Sequence, residues 1–550
     1  MSSTEQYRLA VRCSGHFLLP MLLALSVVVA AGLFVVLFAF PGFFGGAIQN
    51  YKNPALESSS QANIGPGVHR ELIKTSLYNL QADFYAPNLP EFVAEGGAIA
   101  LFGPNYLVVD GDGRMHRFGW FPDSNELWIK PLPYQVPLNG EALDHANISG
   151  LRREWFRVLD VLVLEEAGTA AMFVSHHVWK PAEGCFSIRV SVLQGDQNAM
   201  LTGAVTAPWK TLFETTPCLA PKDLGHVFMG QESGGRLAFL QPGTLMLTLG
   251  DLQFDGILAD QMYAQDPTAF YGKSLLINIA DGSSRVYTLG HRNPQGLYIA
   301  PDGRIWSTEH GPQGGDELNL LKDGSNYGWP LVTYGTQYHT KTWPLNKTQG
   351  RHDGYELPVY SWIPSIGVSN VIGIEKTLFP FWQGDLLVSS LRAQSLFRVR
   401  LDDGPRAVIV EAMPVFGRVR DLLEGHDGRI IIWFGNQKFA LLQPADDTHD
   451  GQLAFEIACA GCHSNHEREL YGVGPRLPGI LNRAIAAQPN YPYSPAMKKL
   501  GGTWDAARLD EFLKDPAAYV PGTSMQVEGI SDPERRAAII EYLKTLRKRP

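Results

Sequence analysis

The residues whose types and spacing promise chemistry most directly lie near the C-terminus, in the run Cys459-Ala-Gly-Cys462-His463. C-x-x-C-H is the covalent attachment pattern of a c-type haem. Two thiols one helical turn apart add to the two vinyl groups of the porphyrin, and the adjacent His463 imidazole then reaches the iron from one face. A second axial ligand has to come from the other face. Met525, in Pro521-Gly-Thr-Ser-Met525, stands on an irregular stretch before the last helix, where its thioether is free to turn inward; Met497 is its rival. His/Met ligation raises the reduction potential and leaves the iron no open position, which suits electron transfer.

A second constellation is spread over Gly290-His-Arg-Asn-Pro-Gln-Gly296, Glu309-His-Gly-Pro312, Gly314-Gly-Asp-Glu-Leu-Asn319 and Asn326-Tyr-Gly-Trp-Pro330. Gly-Pro and Gly-Gly turns expose backbone carbonyls, and Asp316, Glu317 and Asn319 add oxygen donors, a set that hard cations such as Ca²⁺ prefer. Arg292, with Arg392, Arg418 and Arg420, offers forked donors for a polyanionic ligand. The alternative reading is a group of inter-strand turns with solvated charges.

The elements that must hold these residues differ along the chain. From Gly96 to Leu442 short apolar runs such as Ile99–Phe102, Tyr106–Val109, Met172–Val174 and Leu386–Val388 are cut by turn signals at Asp110–Gly113, Pro301–Gly303, Asp402–Gly404 and Asp427–Gly428. Many short strands with no amphipathic helices between them point to an all-β propeller or large sandwich. Gln443–Asp450 is a polar linker. Beyond it the pattern turns helical at Leu453–Ile457, Ala506–Lys514 and Pro533–Leu546, the last with a capping box expected from Ser531 and Glu534, Pro533 just inside its start, and Ile539, Leu543 and Leu546 on one face.

At the other end, the uncharged run from Phe17 to Phe40 is long enough to span a hydrocarbon core of roughly 30 Å. Arg8 and Arg12 precede it and the next basic residue is Lys52, a bias that predicts a cytoplasmic N-terminus and an exported remainder. A retained anchor fits better than a cleaved signal peptide, whose apolar region is shorter. The expected organisation is a cytoplasmic tip and transmembrane anchor helix over 1–44, and a spacer and lead-in segment over 45–95 with a short helix near Glu71–Leu80. The all-β domain follows over 96–443, a linker over 444–450 and an all-α domain over 451–550. Two or three domains suit 550 residues. A hydrophobic content of 45% with 18% charged residues describes an ordered chain, and a net charge of −9 without a basic block argues against a nucleic-acid partner. Five cysteines exclude a disulfide scaffold. Cys13 falls on the cytoplasmic side, while Cys185 and Cys218 fall in the exported part, where pairing depends on a separation the sequence leaves open.

The C-terminal run resembles a class I cytochrome c over nearly all of residues 451–547, through Gly451–Phe455, the haem motif, Gly474-Pro475, Gly479, Arg483, Tyr491–Met497, Trp504 and the segment ending at Met525. The resemblance implies Met525 as axial ligand, Pro475 supporting His463, and Arg483, Tyr493 and Trp504 near the haem propionates. Residues 96–443 resemble the glucose/sorbosone dehydrogenase family, six-bladed β-propellers that carry pyrroloquinoline quinone (PQQ) and calcium. The likeness is carried by the 290–330 motifs and extends through Gly234–Leu237, Thr248–Asp251, Trp362, Ser390–Arg392 and Gly417–Asp421. It implies that Arg292, Asn293, Arg392, Arg418 and Arg420 hold the quinone, that Trp362 flanks it, and that the Gly311 and Pro312 carbonyls bind calcium. It further implies that Glu317 and the Tyr327 carbonyl form a second calcium site. Two features depart from the pattern. Glu232 stands where the family has its general-base His, four residues before Arg236; it is either a substitute base or an ordinary turn residue. The family's Gly-Gln-Gly-Gly-Leu-Leu segment is replaced, with Trp155 and Phe156 near its place, and His176, His177 and His226 are alternative bases.

These readings combine into a single-pass protein of the inner membrane with its large domains in the periplasm. It is expected to oxidise a sugar or alcohol with PQQ and calcium, and to pass electrons to its own haem and on to a respiratory acceptor. The alternative is a catalytically retired propeller serving as a binding or assembly module for an electron-transfer cytochrome.

Overall fold

The computed structural model describes residues 69–445 and 451–546, apart from 92, 122–124, 149–151, 222–229, 339, 436 and 466–472. The expected anchor and His226 lie outside the described residues. Among those described, no helix is long and apolar enough to cross a membrane.

The described strands of the first domain form six antiparallel sheets, five of four strands and one of five. Five of the sheets are each one up-and-down run, such as Gly234–Gln241, Thr244–Leu249, Lys273–Asn278 and Ser284–Leu289, and the five-stranded one joins strands from both ends of the domain. The first strands of successive sheets, beginning at Ala98, Val158, Gly234, Pro294, Val368 and Val419, lie against one another in a closed ring. This is a six-bladed β-propeller. Each blade packs both faces on its neighbours. Its strands therefore bury consecutive residues instead of alternating ones, and Leu386–Ser390 is buried throughout. The turn signals read from sequence all fall between paired strands.

The lead-in segment departs from expectation. Glu71–Leu80 is not helical: His69–Lys74 and Asn79–Tyr85 are strands, and the second pairs with Lys438–Pro444 from the far end of the domain, Leu80 opposite Pro444 and Tyr85 opposite Phe439. The propeller thus reaches back at least to His69 rather than starting at 96. Leu80, Ala82 and Phe84 are buried in the closing blade, so tertiary burial outweighs the local preference of a short charged stretch.

Arg236 ties the ring together at its axis. Its Nη1 donates to Asp160 Oδ1 (3.0 Å) and Asp421 Oδ1 (2.9 Å), its Nε to the Gln295 carbonyl (2.7 Å) and its Nη2 to the Arg420 carbonyl (2.9 Å). Asp421 also accepts from the Ile99 amide (2.8 Å) and the Asn370 side chain (2.7 Å). First strands of all six blades therefore meet in one hydrogen-bonded knot. Burial, opposed by Arg236, pushes Asp160 up to about 6.

Cys185 and Cys218 are joined, pinning the Cys185–Asp196 strand to the turn that follows Lys210–Glu214. The C-terminal domain is helical: α1 (Gly451–Ala458), α2 (Pro495–Leu500), α3 (Ala506–Lys514), α4 (Pro516–Tyr519) and α5 (Pro533–Thr545) surround a core of Phe455, Trp504, Leu509, Phe512 and Ile539. The α5 cap is Asp532, not Ser531: its carboxylate accepts from the Glu534 amide at 2.9 Å, and an acid at a helix start also meets the positive end of the dipole.

Candidate functional site

The haem motif follows α1 directly. Cys459 and Cys462 are free thiols, and burial raises Cys459 to about 12. His463 Nδ1–H donates to the Pro475 carbonyl at 2.7 Å, which leaves Nε2 as the lone-pair nitrogen. Gly474 lies flat on the same ring, and a Cβ there would stand 2.5 Å from the imidazole. These groups border a mainly apolar cavity of about 290 Å³ that Met497, Met525, Arg483, Tyr493 and Trp504 also line. Met525 is half-buried on an irregular segment; Met497 is buried on α2. The donor set fits a c-type haem: two thiols, one oriented imidazole and a thioether around an apolar slot. Arg483 is held by the Pro478 and Arg476 carbonyls and the Gln488 side chain, so its guanidinium is positioned before any propionate arrives.

In the propeller Glu232, Arg292, Asn293, Gly311, Pro312, Arg392 and Arg418 lie on loops that precede first strands or join second to third strands, which places them at one mouth of the ring. Glu232 has φ 59°, a left-handed conformation unusual for a non-glycine residue, and its carboxylate pairs with Arg292 Nη2. Arg292 Nη1 donates to the Gly311 carbonyl at 3.0 Å, and its guanidinium lies 5.3 Å from the Trp329 ring centre. Trp329 Nε1 donates to Asp251 at 2.6 Å. Burial, with Glu232 next in effect, raises Asp251 well above the usual carboxylate range. Glu232, Asp251, Arg292 and Trp329 therefore form one unit. Sequence reasoning included Trp329 within the Asn326–Pro330 motif but gave it no role of its own.

Other expectations change. Trp362 is 5% exposed and packs on Tyr360 and Phe397. Asn293 spends its side-chain oxygen on the Gly234 amide (3.1 Å). Asp316 is not a free cation ligand, because it accepts from the Gly311, Gly367 and Val368 amides and the Ser365 hydroxyl. Arg392 and Arg418 are exposed, and Arg420 is half-buried with its Nε unpartnered among the described residues. His176 and His177 are fully buried with both ring nitrogens engaged; burial lowers them to about 4 and about 3, and they are structural rather than catalytic.

The cofactors implied by the resemblance fare differently. Buried, unpartnered guanidinium nitrogens on Arg292 and Arg420 fit a polycarboxylate such as PQQ. At the expected Gly311 and Pro312 calcium site, the Gly311 carbonyl accepts one hydrogen bond from Arg292. Around Glu317 the set fits a cation. That carboxylate is raised well above its usual range by burial and then by Glu309, with His352 Nε2 3.6 Å away and Tyr327 beside the same small cavity.

Comparison with known proteins agrees with this geometry. The sequence profile described as Glucose / Sorbosone dehydrogenase matches residues 159–443. The chain belongs to the glucose/sorbosone dehydrogenase family. Within this family it is similar to quinoprotein glucose dehydrogenase B of Acinetobacter calcoaceticus, 28% identical over 236 residues, which are 31% of this chain and 49% of that relative. The chain thus spans about half the length of that dehydrogenase. A glucose dehydrogenase crystal structure superposes with a TM-score of 0.52 at 25% identity, covering 66% of this chain and 99% of the other. The C-terminal part is similar to cytochrome c2 of Agrobacterium tumefaciens (strain II Chrys), 41% identical over 100 residues, 18% of this chain and 89% of that protein. A family propeller and a cytochrome c are fused in one chain.

Proposed function

We propose that this chain is a dehydrogenase that oxidises a sugar or alcohol hydroxyl at the propeller mouth and delivers the electrons to a haem held by its own C-terminal domain. The observation that carries the reading is the arginine-lined mouth, with buried guanidinium nitrogens awaiting an anion beside the Glu232–Arg292–Asp251 unit. PQQ bound there supplies a hydride-accepting quinone, and haem at Cys459, Cys462 and His463 supplies a one-electron acceptor. The chain's residues do the rest. Glu232 takes the hydroxyl proton when substrate displaces it from Arg292, and Arg292, released, donates to the developing negative charge. Burial, and then Glu232, raises the proton affinity of Asp251, which eases the like-charge repulsion between the two carboxylates. Glu317, Glu309 and the Tyr327 carbonyl would hold a structural cation that neutralises the buried carboxylates.

The fusion supports the electron path, because tethering raises the local concentration of the acceptor to the millimolar range. The Cys185–Cys218 disulfide supports an extracytoplasmic site, since such bonds persist in oxidising compartments. The apolar Phe17–Phe40 run supports single-pass anchoring in the inner membrane, near a respiratory acceptor. The Glu232–Arg292 pair favours one second reading, in which the would-be base is a structural counter-ion and the propeller is retired. The haem-loaded chain, given PQQ and then a panel of aldoses and alcohols, separates the two. Substrate-dependent haem reduction supports the dehydrogenase; PQQ binding with no reduction by any substrate supports the retired module.

A further inference from the structure

Arg157 occupies the stretch where the family's Gly-Gln-Gly-Gly segment is replaced, immediately before the Val158–Glu166 strand of the second blade. Its backbone is clamped on both sides by His177: the Arg157 amide donates to His177 Nδ1 at 3.0 Å, and the His177 amide donates to the Arg157 carbonyl at 3.1 Å. His177 is itself fixed, donating through Nε2 to Ser233 (2.9 Å) and stacking on Phe156. A fully buried histidine thus serves to place one arginine.

That arginine is aimed at its own kind. Arg157 and Arg420 line one cavity, and the Arg420 and Arg418 charges, after burial, help to pull Arg157 down to about 9; Arg420 is itself lowered by burial and then by Arg418. The acids nearest the axis do not relieve this, because Asp160 and Asp421 are taken by Arg236. Among the described residues a carboxylate that does meet them is Glu95, whose Oε2 accepts from Arg420 Nη2 at 2.8 Å while its backbone carbonyl accepts from Arg157 Nη1 at 2.9 Å. The Glu95 side chain is 55% exposed and is followed by Gly96 and Gly97, both at positive φ. Beside it lies a cavity of about 30 Å³ lined by Gly96, Gly97, Arg157, Arg236, Gln295 and Arg420. On the scale where roughly 10–15 Å³ admits one water, it has room for two waters or one carboxylate.

We infer that Arg157 is a ligand-binding residue of this chain: with Arg420 it takes one carboxylate of the quinone cofactor, and Glu95 stands in for that carboxylate until the ligand displaces it. The inference rests on the proposed PQQ site. Two guanidinium groups beside one exposed carboxylate, with the Arg418 charge adding to theirs, are repulsive without a ligand and complementary to a polycarboxylate. Arg157 therefore costs stability in the free protein and returns it as affinity.

The test is PQQ titration of the haem-loaded chain by tryptophan fluorescence quenching, with thermal melting in the absence of PQQ, for wild type, Arg157→Gln and Glu95→Gln. Arg157→Gln is expected to weaken PQQ binding by about tenfold or more while leaving the PQQ-free melting temperature unchanged or higher. Glu95→Gln is expected to tighten binding several-fold. A purely structural Arg157 gives the opposite pattern, a lower melting temperature with binding within twofold of wild type, and overturns the inference. Wild-type chain that binds no PQQ overturns the cofactor site and this inference with it; wild-type binding that Arg157→Gln leaves intact overturns this inference alone.

Discussion

Glu232 and Arg292 form a nearly buried ion pair between the segment leading into the third blade and the segment leading into the fourth. The pair joins the residue expected to act as base to a residue expected to hold the cofactor. Neither role is independent of the other: a ligand that draws Arg292 away from Glu232 also makes that carboxylate a stronger base. Asp251, on the loop after Thr244–Leu249, completes the coupling, because its raised proton affinity comes from burial and from Glu232.

Glu232→Gln keeps the shape of the side chain and removes its basicity. In the dehydrogenase reading it lowers the rate of substrate-dependent haem reduction by about 10²-fold or more, the usual range for loss of a general base. PQQ binding persists in the variant. Stopped-flow reduction of the haem under saturating substrate measures this, and a rate within threefold of wild type removes Glu232 from the chemistry.

What could be read in advance follows how local each signal is. Cys459-x-x-Cys462-His463 works through one helical turn, so its spacing alone carried the chemistry, and His463 meets Pro475 as the cytochrome resemblance implied. Strand runs between Gly-Asp turns were visible for the same reason. The strand Asn79–Tyr85 was not, because its partner Lys438–Pro444 lies at the other end of the domain and no local pattern encodes ring closure. Trp329 and Trp362 could not be told apart as pocket and core by residue type; only the fold sets one against Arg292 and the other against Phe397. Arg157 passed unnoticed because its significance is the three-dimensional proximity of Arg418 and Arg420.

Arg236 sits in the Gly-Arg motif, yet its work is architectural. Arg236→Met leaves Asp160 and Asp421 buried without their counter-ion, which costs about 3–5 kcal/mol in denaturant unfolding near neutral pH. Protonation relieves stranded carboxylates, so the defect is expected to be smaller at pH 5 than at pH 7.5. An equal loss at both values shows that packing, not charge, is what the arginine provides.

The buried pair His176 and His177 gives the propeller an acid-labile element. Both are neutral in the folded state, with pKa lowered to about 4 and about 3, whereas in the unfolded chain they take up protons below about 6.5. Their contribution is therefore present above pH 6.5 and lost as pH falls, by about 2 kcal/mol each at pH 5. Asp160 works in the other direction, its raised pKa of about 6 favouring the fold as pH falls from 6 toward 4. Comparing His177→Gln with wild type isolates one group. The destabilisation caused by the variant is expected to shrink by about 2 kcal/mol between pH 7.5 and pH 5 in urea titrations, and a pH-independent difference contradicts the assignment.

Met525 and Met497 both border the haem slot, and their settings separate the two roles. Met497 lies on α2, capped by Ser494, and is packed among the core residues, so truncating it creates a void. Met525 lies on an irregular segment braced by Thr523, whose hydroxyl accepts from the Met525 amide at 3.2 Å. Covalent attachment depends on Cys459 and Cys462 alone, so Met525→Ala is expected to retain haem while losing the sulfur-to-iron absorption and lowering the reduction potential, since a thioether ligand favours ferrous iron. Met497→Ala is expected to cost about 2–4 kcal/mol in stability and to keep both spectrum and potential. Absorption spectra and a redox titration of the two variants decide the matter, and the reverse pattern makes Met497 the axial ligand.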